Sequence, residues 1–330
     1  MVEKSITLII VIASLLVVGC LNNSPEKELS ESRNHRQDMR DLVQGISAYS
    51  KKIDPDFLII PQNGHDILSM DTDAAAPPAM EYINAIDGVG QEDLFYGYTD
   101  DDSATSSSDS EGLMALLDLA EENSVQAIVT DYCFTESKMD DSYEKNSNKG
   151  YISFAADHRD LNNIPVHPQE AYNVNADDIV SLAEAKNFLY LLDPSGFDEK
   201  ADYLEALKAT DYDVLIIDAF FDPEMLSKEE VSSLKVKNNG GGRLVISYMS
   251  IGEAENYRYY WQDDWKVGSP DFLDKENKEW EGNYKIRYWE PEWQKIIYGQ
   301  GTSYLDRLLD IGFDGVYLDI IEAFEYFENQ

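Results

Sequence analysis

The sequence predicts an α/β fold, specifically a (β/α)8 barrel, and three observations support this prediction. Short apolar segments of strand length alternate with helical segments along most of the chain. Nearly every apolar segment ends in a carboxylate or an amide. No Gly-x-Gly-x-x-Gly motif follows any of these segments, which disfavours the main competing fold, a doubly wound open sheet.

The clearest repeat unit is a helical segment over residues 304–311, then Gly312, then the strand Gly315-Val-Tyr-Leu-Asp319. Side chains at the carboxyl ends of parallel strands line the active site of such folds. A single carboxylate there is equally consistent with a cap on the next helix. Because the pattern repeats along the chain, the ring of terminal carboxylates favours the mouth of a barrel.

The other elements follow in chain order. Helices are predicted over residues 37–52, 113–123, 178–185, 198–209 and 227–237. Strands are predicted at residues 57–61, within 87–98, and at 127–131, 188–193, 214–218, 244–250, 285–289 and 315–319, with 150–154 as a candidate ninth. The Asp- and Ser-rich residues 99–112 are expected to form a loop, and the proline-containing residues 162–175 a connector.

Charge and cysteine content exclude several classes of protein. The 330 residues carry a net charge of −38, from 64 acidic and 26 basic residues. This balance argues against a nucleic-acid partner, whose phosphates need Lys and Arg. It is compatible with a cationic ligand or with a general adaptation for solubility. Cys20 and Cys133 cannot build a disulfide framework and no zinc-ligand spacing is present, so we expect no cofactor and no metal, with a divalent cation in the acidic ring as the weaker alternative.

The N-terminal segment predicts export. Lys4 precedes the apolar residues 6–18, which are too few to span a bilayer comfortably and are typical of a signal peptide. The following Val17-Val-Gly-Cys20 resembles a lipoprotein cleavage box with Cys20 as the lipidated residue; an uncleaved anchor helix is the alternative. We expect a signal segment over residues 1–20, a polar tether over 21–36 and one domain over 37–330, held at the outer face of the cytoplasmic membrane.

The strand ends carry many carboxylates and few other catalytic groups. The acidic ring consists of Glu92, Asp131, Asp193, Asp218, Glu253, Glu255 and Asp319, and the first strand ends in Gln62 and Asn63. None of the four histidines lies at a clear strand end, and no Gly-x-Ser-x-Gly motif is present. Such a site suits glycoside hydrolysis, in which one carboxyl protonates the leaving oxygen and another attacks or activates water.

All five tryptophans fall between residues 261 and 293. Aromatic faces that stack on sugar rings would explain this cluster, and Trp261 and Trp289 are therefore candidates for substrate binding. The alternative is a long lid with its own small aromatic core, and the two explanations are compatible.

Six segments resemble the endo-α-1,4-polygalactosaminidase-like proteins of glycoside hydrolase family 114. They are Ile60-Pro-Gln-Asn-Gly64, Val89-Gly-Gln-Glu-Asp-Leu-Phe-Tyr96, Val129-Thr-Asp-Tyr-Cys133, Tyr248-Met-Ser-Ile-Gly-Glu-Ala-Glu255, Arg287-Tyr-Trp-Glu-Pro-Glu-Trp293 and Gly315-Val-Tyr-Leu-Asp319. The resemblance implies a (β/α)8 barrel acting outside the cell on galactosamine-containing polysaccharide by a retaining mechanism. It implies Asp319 as nucleophile and Glu92 as general acid/base. Substrate-binding residues would be Gln62, Asn63, Asp131, Asp218, Tyr248, Glu253, Glu255, Trp261 and Trp289.

The order of these segments differs from the usual order in the family. There, the strands ending at Asp218 and at Glu-Ala-Glu precede the Pro-Gln-Asn-Gly strand, which here lies near the N-terminus. The chain therefore resembles a circularly permuted member, with residues 162–175 bridging the original ends. Permutation predicts that the strand at 57–61 pairs in parallel with the strand at 315–318.

Three functions remain open from the sequence: an anchored glycosidase, a surface lipoprotein that binds polysaccharide without cleaving it, and a structural envelope protein. For the glycosidase, the crowded negative charge is expected to favour a protonated carboxyl at Glu92 and an ionised one at Asp319.

Overall fold

The computed structural model describes residues 33–71, 74–221 and 223–330. The predicted signal segment, the lipidation site at Cys20 and nearly all of the tether lie outside the described residues. Within the described ranges, no helix combines the length and the apolar character needed to cross a membrane.

The described chain contains thirteen strands, most of them short. They are β1 (Leu58–Pro61), β2 (Gly88–Glu92), β3 (Gln126–Tyr132), β4 (Ile152–Ala156), β5 (Phe188–Leu191), β6 (Val214–Ile217), β7 (Phe220–Phe221), β8 (Glu224–Met225), β9 (Leu244–Ser250), β10 (Glu253–Glu255), β11 (Leu273–Glu276), β12 (Asn283–Ile286) and β13 (Gly315–Asp319).

Nine α-helices of the described residues separate or follow these strands. They are α1 (His35–Ile53), α2 (Met80–Ile83), α3 (Ser107–Glu122), α4 (Glu136–Lys149), α5 (Lys200–Lys208), α6 (Lys228–Leu234), α7 (Pro291–Ile297), α8 (Tyr304–Ile311) and α9 (Ala323–Glu328). Short 3-10 helices cover His65–Leu68, Leu182–Glu184 and Pro194–Gly196.

Eight of the strands form two parallel sheets that meet at their edges. One sheet has the order β1-β13-β9-β6-β5 and the other β2-β3-β4. Gln62, directly after β1, forms a parallel bridge with Gly90 of β2, and β4 lies beside β5. Strands such as β6 are buried along their whole length, as expected where both faces of a parallel sheet are covered.

The predicted pairing between distant strands is confirmed. Strand β1 pairs in parallel with β13, with Leu58 opposite Gly315 and Pro61 opposite Leu318. The close approach requires the glycine, because a Cβ at position 315 would lie 2.6 Å from the Leu58 carbonyl oxygen. Outside this pair, α1 packs against α8 and α9.

For two of the predicted strands, membership of the parallel sheets differs from the prediction. The candidate ninth strand is a full member of the parallel set, as β4. The predicted strand at 285–289 is not: β12 pairs antiparallel with β10 and β11 in a separate three-stranded sheet. Its Asn and Lys side chains suit this partly exposed hairpin better than a doubly covered sheet.

The helix predicted over 178–185 is wrong, because this segment forms only the single 3-10 turn Leu182–Glu184. The Glu184 carboxylate accepts hydrogen bonds from the backbone N–H groups of Val180 and Ser181, so a capping box closes the turn on itself. The loop predicted over 99–112 also ends early, since the side chain of Ser106 caps α3 and starts the helix at Ser107.

Candidate active site

A cavity of about 720 Å³ opens at the carboxyl ends of the parallel strands. Glu92 is the last residue of β2 and Asp319 the last of β13, and both line it. The structure also brings most of the other predicted residues to this cavity: Gln62, Asn63, Asp193, Asp218, Tyr248, Glu253 and Glu255.

Glu92 is held by neutral hydrogen-bond donors. The Asn63 side-chain amide donates to Glu92 Oε2 at 3.0 Å, and the Tyr132 hydroxyl donates to Oε1. The backbone N–H of Glu92 donates to Asn63 Oδ1 at 3.2 Å. Arg159 stacks on the Tyr132 ring, 4.1 Å from its centroid, and is itself paired with Asp93. The Glu92 carboxyl group therefore has a fixed orientation without an ion pair to a Lys or Arg in the part of the chain that the structure describes.

Asp319 is oriented in a similar way. The Tyr248 hydroxyl donates to its Oδ2 at 2.7 Å, and the backbone N–H of Ile320 donates to Oδ1 at 2.8 Å. Both strands that supply these groups, β13 and β9, are neighbours in register, with Asp319 opposite Ser250. Each oxygen of Asp319 thus has one defined donor.

The backbone around these carboxyls is strained. Asn63, Asp93 and Ile320 have φ values of 55°, 62° and 63°. Such values are genuinely unusual for a β-branched residue such as Ile320. Asn63 contacts Glu92, Asp93 directly follows Glu92, and Ile320 directly follows Asp319. Backbone strain of this kind concentrates at functional sites.

Asp131 does not line the cavity, in contrast to the prediction. It is fully buried on the other side of β3, where Phe95 N–H, Tyr96 N–H and Ser142 Oγ donate to it at 2.8, 3.1 and 2.6 Å. The cause is strand register: Glu92 lies opposite Thr130. Alternation along β3 then sends Thr130 and Tyr132 inward and Asp131 outward.

The tryptophans of the cluster do not share one environment: some pack against other aromatic side chains, and one lines the cavity. Trp261 packs against Trp265 and Tyr284, and neither it nor Trp289 lines the cavity. Trp289 packs against Tyr288 and Phe327. For these two predicted substrate-binding residues, the alternative of a small aromatic core matches the structure.

Trp280 is different, because it lines the cavity with 64 % of its surface exposed. It lies in the turn between β11 and β12, on the hairpin that pairs with β10. Its exposed ring face is therefore available for stacking interactions.

Arg258 forms ion pairs with two of the predicted acids. Its guanidinium donates to Asp218 through two bonds of 2.9 and 2.6 Å, and to Glu255 Oε2 at 2.7 Å. Arg258 is itself buried, with Phe220 and Tyr257 rings beside it. Burial raises the pKa of Asp218, while Arg258 lowers it, so this group forms a rigid side of the cavity.

Two further acids at the cavity also have partners. Glu253 accepts from Asn277 at 3.0 Å and forms an ion pair with Lys285 at 3.3 Å. Asp193 accepts from the Ser195 backbone and hydroxyl at the start of a 3-10 turn. These contacts stabilise the local backbone and leave less charge for a ligand.

Glu92, Asp319 and Glu322 line the cavity without an ion pair to any Lys or Arg of the described residues. Burial, and then the charge of Glu92, raises the pKa of Asp319 to about 7 despite the Tyr248 hydrogen bond. Burial and the charge of Asp319 raise the pKa of Glu322 to about 8. Burial and negative charge thus favour the protonated forms of Asp319 and Glu322, in contrast to the prediction of an ionised Asp319.

Sequence reasoning missed Tyr132, Arg258 and Glu322. Tyr132 is the neighbour of Asp131, so the correct register would have selected it. Glu322 follows Asp319 by three residues on the turn that leaves β13. Arg258 gives no signal of its own, although it is the first basic residue after the Glu-Ala-Glu segment. Across the described ranges, no group of three or more His, Cys, Asp or Glu side chains is arranged to hold a metal ion.

The model of the glycoside-hydrolase family GH114 matches residues 169–330. This stretch contains Asp218, Arg258, Asp319 and Glu322. Glu92 lies outside it.

Curated relatives match at moderate identity. An uncharacterized protein of Methanocaldococcus jannaschii is 37 % identical over 185 residues, covering 53 % of this chain and 49 % of the relative. Uncharacterized proteins of Deinococcus radiodurans and Thermotoga maritima are 39 % identical over 127 residues and 35 % over 144 residues. The alignments cover 38 % and 44 % of this chain, and 39 % and 41 % of those relatives. The chain thus spans about half or less of the relatives' lengths.

Proposed function

We propose that the protein hydrolyses an amino-sugar polysaccharide with two carboxyl groups, on the premise that residues 169–330 match the model of the glycoside-hydrolase family GH114. One observation carries the proposal: Glu92 and Asp319, from the ends of different strands, line one cavity, and neither forms an ion pair with a Lys or Arg of the described residues. Two such carboxyls are the standard requirement for cleaving a glycosidic bond.

In the proposed mechanism, the ionised form of Asp319, which predominates above its raised pKa of about 7, attacks the anomeric carbon and forms a glycosyl–enzyme ester. Tyr248 and the Ile320 N–H hold its two oxygens, so the attacking lone pair is pre-oriented. Glu92 donates a proton to the leaving oxygen and then removes one from the water that hydrolyses the ester, with retention of configuration. This mechanism requires the two carboxyls to lie about 5–5.5 Å apart in the working enzyme.

The proposed substrate contains galactosamine. A partly deacetylated amino-sugar chain is cationic. Both the net charge of −38 and the carboxyls of Glu92, Asp319 and Glu322, which have no ion pair with a Lys or Arg of the described residues, favour such a ligand. Trp280, exposed at the edge of the cavity, offers a face for a sugar ring outside the reacting subsite.

We also infer the architecture and location that accompany this function. The edge contacts between the two parallel sheets support a closed (β/α)8 barrel, and the β1–β13 pairing supports a circularly permuted strand order. The apolar residues 6–18 and Cys20 support a lipid-anchored protein on the outer face of the cell membrane.

The test uses purified residues 21–330 with a panel of amino-sugar polymers of defined linkage and acetylation. New reducing ends from α-1,4-linked galactosamine polymer, and none from fully acetylated or glucose-based polymers, are expected. If the protein binds polymer in the panel and cleaves none, the function is polysaccharide binding by a surface lipoprotein.

Replacing Glu92 by Gln is expected to slow turnover in a way that depends on the leaving group. A substrate with a poor leaving group needs the proton, so its kcat should fall about 10²-fold, whereas an aryl glycoside with a good leaving group should change little in its first step. A plot of rate against leaving-group pKa measures this. Equal loss for every leaving group would mean that Glu92 does not donate the proton.

A further inference from the structure

We propose that Glu322 binds the positively charged amino group of the substrate beside Asp319 and thereby selects deacetylated over N-acetylated sugar. This inference rests on the proposed function and assigns the specificity of the same site.

The first observation is position. Glu322 lines the cavity three residues after Asp319, on the turn that begins at the strained Ile320. The packing of this turn is tight: a Cβ on Gly252 would lie 2.1 Å from the Ile320 carbonyl oxygen. In an amino sugar the nitrogen is on the carbon adjacent to the anomeric carbon. A residue on the turn leaving the nucleophile is therefore placed near that nitrogen.

The second observation is an unmet hydrogen-bonding requirement. Glu322 Oε2 is buried and has no hydrogen-bond partner among the described residues. A buried carboxylate oxygen without a partner is costly. Either a proton or a cationic donor from a ligand offsets that cost.

The third observation is the charge around Glu322. The titratable groups that act on it are Asp319, Glu92 and Glu325, all acidic. The cations nearest to the other cavity acids are already committed, Arg258 to Asp218 and Lys285 to Glu253. The site next to Asp319 is therefore deficient in positive charge, which an ammonium group supplies.

No Lys or Arg of the described residues forms an ion pair with Glu322, so without a ligand a proton offsets its charge. Burial and the charge of Asp319 raise the pKa of Glu322 to about 8, so the free site holds a proton at neutral pH. An ammonium group next to the carboxyl lowers its pKa again. Binding of a cationic sugar near pH 7 should therefore release up to about one proton, whereas a neutral N-acetylated sugar should release none.

The kinetic test compares Glu322→Gln with Glu325→Gln, a matched loss of charge on the exposed face of α9. For wild type and both variants, kcat/KM is measured on galactosamine oligomers and on their N-acetylated counterparts. Glu322→Gln should lower the preference for the deacetylated oligomer by roughly 10- to 100-fold, mainly through KM. Glu325→Gln should keep it. An unchanged preference in Glu322→Gln would overturn the assignment.

The binding test does not depend on cleavage. Galactosamine and N-acetylgalactosamine monosaccharides are titrated into wild type by calorimetry in buffers of different ionisation enthalpy. Proton release with galactosamine, absent in Glu322→Gln, supports the inference even if no polymer is cleaved. Binding of galactosamine without proton release in the wild type overturns it, and this readout is independent of whether the variant folds.

Discussion

Replacing Asp319 by Asn is expected to abolish turnover, with kcat reduced on the order of 10⁴-fold or more. The amide keeps the size of the side chain and can still accept from Tyr248, but it cannot form the glycosyl ester. Polymer affinity should stay within a few-fold of wild type, because little shape is lost. Rapid-quench kinetics and equilibrium binding on the same preparation measure the two quantities.

The matched control is Asp310→Asn, the same substitution at an exposed position of α8 outside the cavity. It should retain full activity. If turnover survives in Asp319→Asn, another carboxyl is the nucleophile, and Glu322 is the first candidate.

Arg258→Met is expected to have the largest effect on stability. The substitution leaves two carboxylates, Asp218 and Glu255, without the cation that holds both. Removing one partner from a buried ion-pair group typically costs about 3–5 kcal/mol of unfolding free energy. Urea denaturation measures this loss. Arg307→Met is the control, because Arg307 is exposed and its main contact is the Tyr259 ring; a loss of at most about 1 kcal/mol is expected there.

The loss in Arg258→Met should depend on pH. Burial raises the pKa of Asp218 in the folded state, and Arg258 opposes that rise. Without the guanidinium the folded-state pKa rises further above the unfolded value, so the folded protein binds more protons than the unfolded one. The stability contributed by this group then decreases as pH rises. The difference from wild type should be larger near about pH 8 than near about pH 5, and a difference that grows towards acid pH would contradict this account.

The pattern of apolar residues in the sequence was sufficient to predict most of the fold. The runs at β1, β6 and β13 are apolar throughout, and their order along the chain even predicted the β1–β13 pairing. The pattern was insufficient where local hydrogen bonds compete with helix formation, as at Glu184, and where an antiparallel hairpin carries one apolar face, as at β12.

The residues of the site that terminate a strand could be predicted from the sequence, because the ends of strands could be predicted. Glu92 and Asp319 could be selected because both terminate a strand. Asp131 could not be rejected, since its direction depends on the register of β3 against β2, which is a property of two segments. Arg258 and Glu322 are significant because of the charges around them, and some of these charges come from strands distant in sequence: Asp218 beside Arg258 and Glu92 near Glu322.

The β1–β13 pairing also determines when the fold of this protein can be completed during its synthesis. Leu58 and its partner Gly315 are 257 residues apart in sequence. At about 5–20 residues per second, β1 leaves the ribosome roughly 13–51 s before its partner does. During that interval Ile59 and Ile60, both fully buried in the finished fold, lack the strand that covers one edge. The nascent chain must therefore be shielded from aggregation for far longer than a chain whose neighbouring strands emerge in succession.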